Sequence, residues 1–96
     1  MKMKILIYTI QENIDDWILK MARSFIFDRK IINYNEIILE NDLACIILKT
    51  EISESIRGYR WNYVILDAPI KREILDSCIE PKIITKNYTK NFKIIE

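Results

Sequence analysis

Ser55-Ile56-Arg57-Gly58-Tyr59-Arg60-Trp61-Asn62-Tyr63-Val64-Ile65-Leu66-Asp67 joins a polar loop, built around the chain's single glycine, to a short apolar run that ends on an acid. An uninterrupted run as short as Tyr63–Leu66, closed by Asp67-Ala68-Pro69, fits a strand covered on both faces, as in a parallel sheet. An acid just past the carboxyl end of such a strand lies where open α/β sheets place ligands, and it can hold Mg²⁺ there. One glycine excludes a G-x-x-x-x-G-K-[ST] phosphate cradle, which needs two.

On the amino side of this stretch, Met3–Ile10 is another continuous apolar run of strand length. Asn13 then offers a helix N-cap, with Asp15 and Asp16 in the first turn, where carboxylates complement the macrodipole. Ile14, Trp17, Ile18, Met21, Ala22, Phe25 and Ile26 recur at three- and four-residue spacing, which predicts an amphipathic helix of about four turns. Asp28-Arg29-Lys30 is expected to end it, with cations at its carboxyl end. Ile31–Glu40 and Leu43–Lys49 read as two strands joined through Asn41-Asp42, a hairpin signal. Beyond Asp67, Ile70, Ile74, Leu75 and Cys78 predict a short second helix over 71–80, stopped by Pro81. Ile83-Ile84 reads as a last core strand and Phe92–Ile95 as a weak edge strand. The order β-α-β-β-β-α-β predicts one α/β domain over 1–96, a mixed sheet of about five strands flanked by two helices.

Composition narrows the function classes. Half of the 96 residues are apolar and isoleucine dominates, which suits a sheet-built core and opposes disorder. The net charge of +1 opposes a general polyanion binder. Lys82, Lys86, Lys90 and Lys93 form a local basic run, read first as a solvated tail and second as a contact for nucleic acid or an acidic partner. The chain contains no histidine, which removes the commonest general base and metal ligand. Cys45 and Cys78 sit within apolar periods, outside any C-x-x-C pair, and read as reduced core thiols of a cytoplasmic protein. No run reaches the length of a membrane span, and the amino-terminal stretch lacks the pattern of a signal peptide. The sequon Asn87-Tyr88-Thr89 is therefore expected to be idle.

Two features are candidates for a function. Asp67 reads first as a cap for the helix after Pro69 and second as a Mg²⁺ ligand, which would need a further ligand or a phosphate. Arg57, Tyr59, Arg60 and Trp61 interleave cations with aromatics, types that anchor protein interfaces and also stack on single-stranded nucleic acid. The structural alternative has Trp61 plugging the sheet edge while the arginines pair with Glu51 and Glu54. Trp17, Met21 and Phe25 read as a core-packing stripe. No catalytic site, cofactor or metal is assigned.

Taken together, the hairpin Asn35–Lys49, the loop reaching Arg57-Gly58 and Tyr63-Val64-Ile65-Leu66-Asp67 resemble the middle of phage large-terminase or helicase-type ATPase domains. In that family an Arg-Gly loop precedes a Walker B strand ending in Asp-Glu, and Asp67 matches the metal-binding acid. The phosphate-binding loop is absent, and Ala68 stands in the place of the catalytic glutamate. The resemblance implies a degenerate, nucleic-acid-associated domain that has lost hydrolysis and uses Asp67 with Mg²⁺. The expectation set against it is a small, non-catalytic phage-type protein, monomer or homodimer, that occupies a surface on a host protein or ribonucleoprotein complex. An anti-defence inhibitor, such as an anti-CRISPR protein, is its concrete form, with Arg57, Tyr59, Arg60 and Trp61 as the contact residues.

Overall fold

The computed structural model describes residues 2–33, 36–51, 61–79 and 94–95, without the side chains of Cys78, Ile94 and Ile95. A five-stranded mixed sheet forms from β1 (Met3–Tyr8), β2 (Arg29–Ile32), β3 (Glu36–Glu40), β4 (Ala44–Lys49) and β5 (Tyr63–Leu66), in the order β2-β3-β4-β1-β5. β1 lies at its heart, parallel to β4 on one side and to β5 on the other. β2 and β3 extend the sheet antiparallel beyond β4. The three parallel strands are the three uninterrupted apolar runs, because both of their faces are covered.

Strand alternation sends successive side chains to opposite faces. On one face Ile5, Ile7, Leu39, Ile46 and Leu48 meet the helix α1 (Ile14–Ser24) through Ile14, Trp17, Ile18 and Met21. On the other, Leu6, Ile47, Val64 and Leu66 meet Trp61, Ile70, Leu75 and Ile79. Each such aliphatic side chain, once buried, contributes about 1.5–3 kcal/mol. The second face is covered by β6 (Ile70–Lys71), one α-helical turn α2 (Arg72–Ile74) and a π-helical turn over Leu75–Ile79. β6 pairs in parallel with β7 (Ile94–Ile95).

The expected α/β architecture is present, with four local corrections. Ile31–Glu40 is two strands: the backbone N–H of Asn33 donates to the Glu36 carbonyl at 2.9 Å, and β2 and β3 form a second hairpin. α1 ends at Ser24 and the chain is extended by Phe25, so Arg29 and Lys30 belong to β2. Phe25 and Phe27 both turn inward, with ring centroids 5.9 Å apart, and Ile26 between them faces out. The hairpin between β3 and β4 forms at the predicted place but spans residues 41–43: Asn41 Oδ1 accepts from the N–H groups of Leu43 and Ala44, both at 2.8 Å, which leaves Leu43 exposed. The second helix is the α and π turns over 72–79, because apolar contacts at Ile70, Ile74, Leu75 and Ile79 are spaced four, one and four apart, wider than one α-helical stripe. Ile83-Ile84 lies outside the described residues, and β7 falls within the predicted edge strand Phe92–Ile95.

Cys45 is a half-buried free thiol on β4. No helix among the described residues is long and apolar enough to cross a membrane.

Candidate functional site

The chain leaving β1 turns to the α1 face, and the chain leaving β5 turns to the opposite face. Adjacent parallel strands that diverge in this way open a crevice at their carboxyl ends, where α/β proteins bind ligands. Thr9 and Asp67 are the first residues past those two ends. The Asp67 N–H donates to the Tyr8 carbonyl at 2.7 Å and the Thr9 N–H to the Lys49 carbonyl at 3.0 Å, so the ladder continues one residue beyond the strands.

One oxygen of Asp67 gathers three donors at this place. Oδ2 accepts from Thr9 Oγ1 at 2.8 Å, Trp17 Nε1 at 2.8 Å and Asn13 Nδ2 at 3.2 Å. Thr9 is fully buried. Asn13 and Trp17 stand four residues apart, one helical turn, and so reach the same point. Burial alone would raise the Asp67 pKa. The hydrogen bonds from Trp17, Thr9 and Asn13, with the Lys20 charge, outweigh it and hold the carboxyl below its usual value. Lys20 Nζ lies 4.7 Å from the centroid of the Trp17 ring, a cation–π contact that keeps its charge at the site.

Asn13 occupies the expected N-cap position of α1, but its side chain makes no capping bond; its Nδ2 donates to Asp67. The expectation that Asp67 caps the following helix does not hold. The cap position of α2 is Lys71, with no side-chain cap, and Asp67 ties β5 to the start of α1 instead of starting the next helix. As a bidentate Mg²⁺ ligand, Asp67 would have to give up the three donors at Oδ2. Among the described residues no three His, Cys, Asp or Glu side chains converge on a metal position.

Beside the crevice, on the opposite face, Tyr8 and Lys49 are register partners. Lys49 is 7 % exposed, and its Nζ lies 3.7 Å from Glu36 Oε2. The Tyr8 hydroxyl donates to the Pro69 carbonyl at 3.3 Å; burial, and then the charge of Glu51, push its pKa up. A phenol kept protonated in this way is poorly suited to act as a general base near neutral pH.

The predicted contact loop divides. Arg57, Tyr59 and Arg60 lie outside the described residues, as does the basic run Lys82, Lys86, Lys90 and Lys93. Trp61 is 0 % exposed and packs among Leu6, Val64 and Leu66, so its ring offers no surface to a partner. It is a core residue, because its position just before β5 turns it under the face that α2 covers. The partners of Asp67 were the residues that sequence reasoning missed. Thr9 carried no signal, and Asn13 and Trp17 each had an adequate local role in α1. No family model, no curated protein and no solved structure matches this chain.

Proposed function

We propose that this protein is a small, non-catalytic interaction module that binds a host protein or ribonucleoprotein machine in the cytoplasm and modulates it. Inhibition of a defence complex by a phage-type protein, in the manner of an anti-CRISPR protein, is the concrete form of the proposal. The observation that carries it is the bonding of Asp67: the acid best placed for chemistry spends one oxygen on Thr9, Asn13 and Trp17, which tie two strands to α1. A small folded domain loses little ordering entropy on docking, which suits such a task. Affinity capture from host lysate tests the reading, with wild type against an Arg57→Ala/Tyr59→Ala/Arg60→Ala variant. Recovery of a defined complex supports an interaction protein, and its loss in the variant supports the loop as the contact. Absence of any partner, together with a Mg²⁺- and nucleotide-dependent rise in melting temperature, would replace this reading with the ATPase-derived one.

A further inference from the structure

At the amino end of the parallel strands the surface has the opposite character. The connection after α1 and the turn after β3 lie side by side and are hydrogen-bonded together. Asn41 Nδ2 donates to the Ile26 carbonyl at 2.8 Å, and the Asp28 N–H donates to the Glu40 carbonyl at 2.9 Å. Asn41 Oδ1 also holds the turn itself, through Leu43 and Ala44. From this pinned backbone Ile26 projects 87 % exposed and Leu43 74 % exposed, the two most exposed large apolar side chains among the described residues. With Phe25, Asp28 and Asp42 they line an open groove of about 600 Å³. Both carboxylates are on exposed residues, and neither has an ion pair among the described residues.

Resting on the reading of this chain as an interaction protein, we propose that this groove is a docking surface for a partner protein segment that presents aliphatic side chains between lysines or arginines. The exposed aliphatic pair supplies the area that leaves water, and the rigid backbone spares the entropy of ordering it. The two unpaired acids select cations and fix the register of the segment. The same charges oppose a second copy of this chain, since pairing the groove with itself would bring Asp28 and Asp42 of both copies together.

The test is an amide-resolved NMR titration of the full chain with a short synthetic peptide carrying adjacent leucines between lysines. A matched peptide with glutamates in place of the lysines is the control. Shift changes centred on residues 24–28 and 41–43 are expected. Binding should weaken about tenfold or more in Ile26→Asp/Leu43→Asp and with the glutamate peptide, as for a hot spot with a charged rim. Both substituted positions face solvent, so an unchanged amide spectrum elsewhere certifies the fold. Changes centred elsewhere, no binding of the lysine peptide, equal binding of both peptides, or self-association abolished by Ile26→Asp would each overturn the proposal. Lysate capture separates the two readings: a partner retained equally by wild type and Ile26→Asp/Leu43→Asp refutes this surface and leaves the interaction protein standing.

Discussion

Replacing Asp67 by alanine tests its three hydrogen bonds directly. The substitution leaves three donors without their acceptor, and their burial sets the cost. Thr9 is fully buried, so its hydroxyl bears a desolvation penalty of about 1–3 kcal/mol. Asn13 and Trp17 are partly exposed and regain water, so each bond lost there costs nearer the low end of about 0.5–1.5 kcal/mol. The expected loss is about 3 kcal/mol. That is a large part of the roughly 5–15 kcal/mol that holds a domain of this size together. At about 4–8 °C per kcal/mol it corresponds to a fall of about 12–24 °C in melting temperature. Asp67→Asn keeps a carbonyl acceptor and loses the charge, and should cost about 1–2 kcal/mol.

Urea titration followed by far-ultraviolet circular dichroism measures these losses, and a double-mutant cycle with Thr9→Val isolates the central bond. Valine removes the hydroxyl at nearly constant shape, so no buried donor remains when Asp67 is also removed. The double variant should therefore lose less than the two single losses added, by about 1 kcal/mol or more. Strict additivity would refute the hydrogen bond as the source of the stability. A more stable Asp67→Ala protein would refute the structural role altogether, since acids kept for function at a cost in stability behave in that way.

The pH dependence has a definite sign. The folded-state pKa of Asp67 is lowered, so its contribution is fully present above the unfolded value near 3.8 and is lost as pH falls through the folded value. Stability should therefore decline below about pH 4, and Asp67→Asn should flatten that decline in urea midpoints measured at successive pH values. Glu40 is lowered chiefly by its hydrogen bond with Lys2, and also by Arg29, so its contribution fades over the same acid range. It lies at the surface, and added salt should suppress its part and spare that of Asp67. Trp61→Ala should cost about 3–5 kcal/mol, as for other fully buried large side chains; loss of a partner in that variant with the fold and melting temperature intact would contradict its place in the core. Mg²⁺ with a nucleoside triphosphate should leave the melting temperature of the wild type unchanged in a thermal shift assay.

The parallel part of the sheet was legible because burial on both faces leaves an unbroken apolar run, and β1, β4 and β5 each have one. The division between β2 and β3 carried a signal that was passed over: Asn33, Asn35 and Glu36 interrupt the apolar residues, but isoleucines on both sides suggested one strand. The end of α1 was hidden by a coincidence of periods. Phe25 continues the helical stripe and also begins the inward alternation of Phe25 and Phe27, so only the placement of Ile26 tells the two apart. Helical continuation would turn Ile26 inward, and extended backbone turns it out. Leu43 went astray for a related reason: its apolar character assigned it to β4, while the Asn41 turn holds it outside. The site was less legible than the fold. Thr9, Asn13 and Trp17 lie 58, 54 and 50 residues from Asp67, and only the strand order, with β5 beside β1, brings them together.

The position of Asp67 bears on anion binding at the start of α1. In nucleotide-binding α/β domains a phosphate sits at the amino end of the helix that follows the first strand, against free N–H groups and the positive end of the macrodipole. Here that place, the start of α1 after Thr9, faces the negative charge of Asp67. The Asp67 carboxylate accepts there from the side chains of Thr9, Asn13 and Trp17, and an arriving phosphate would meet a like charge. Substituting Asp67 thus removes both the strand-to-helix tie and the charge that repels anions. A thermal shift titration with inorganic phosphate separates these effects. Asp67→Ala should melt lower than wild type, and any stabilisation by phosphate should appear only in that variant. Equal stabilisation of wild type would show that the carboxylate does not guard the end of α1.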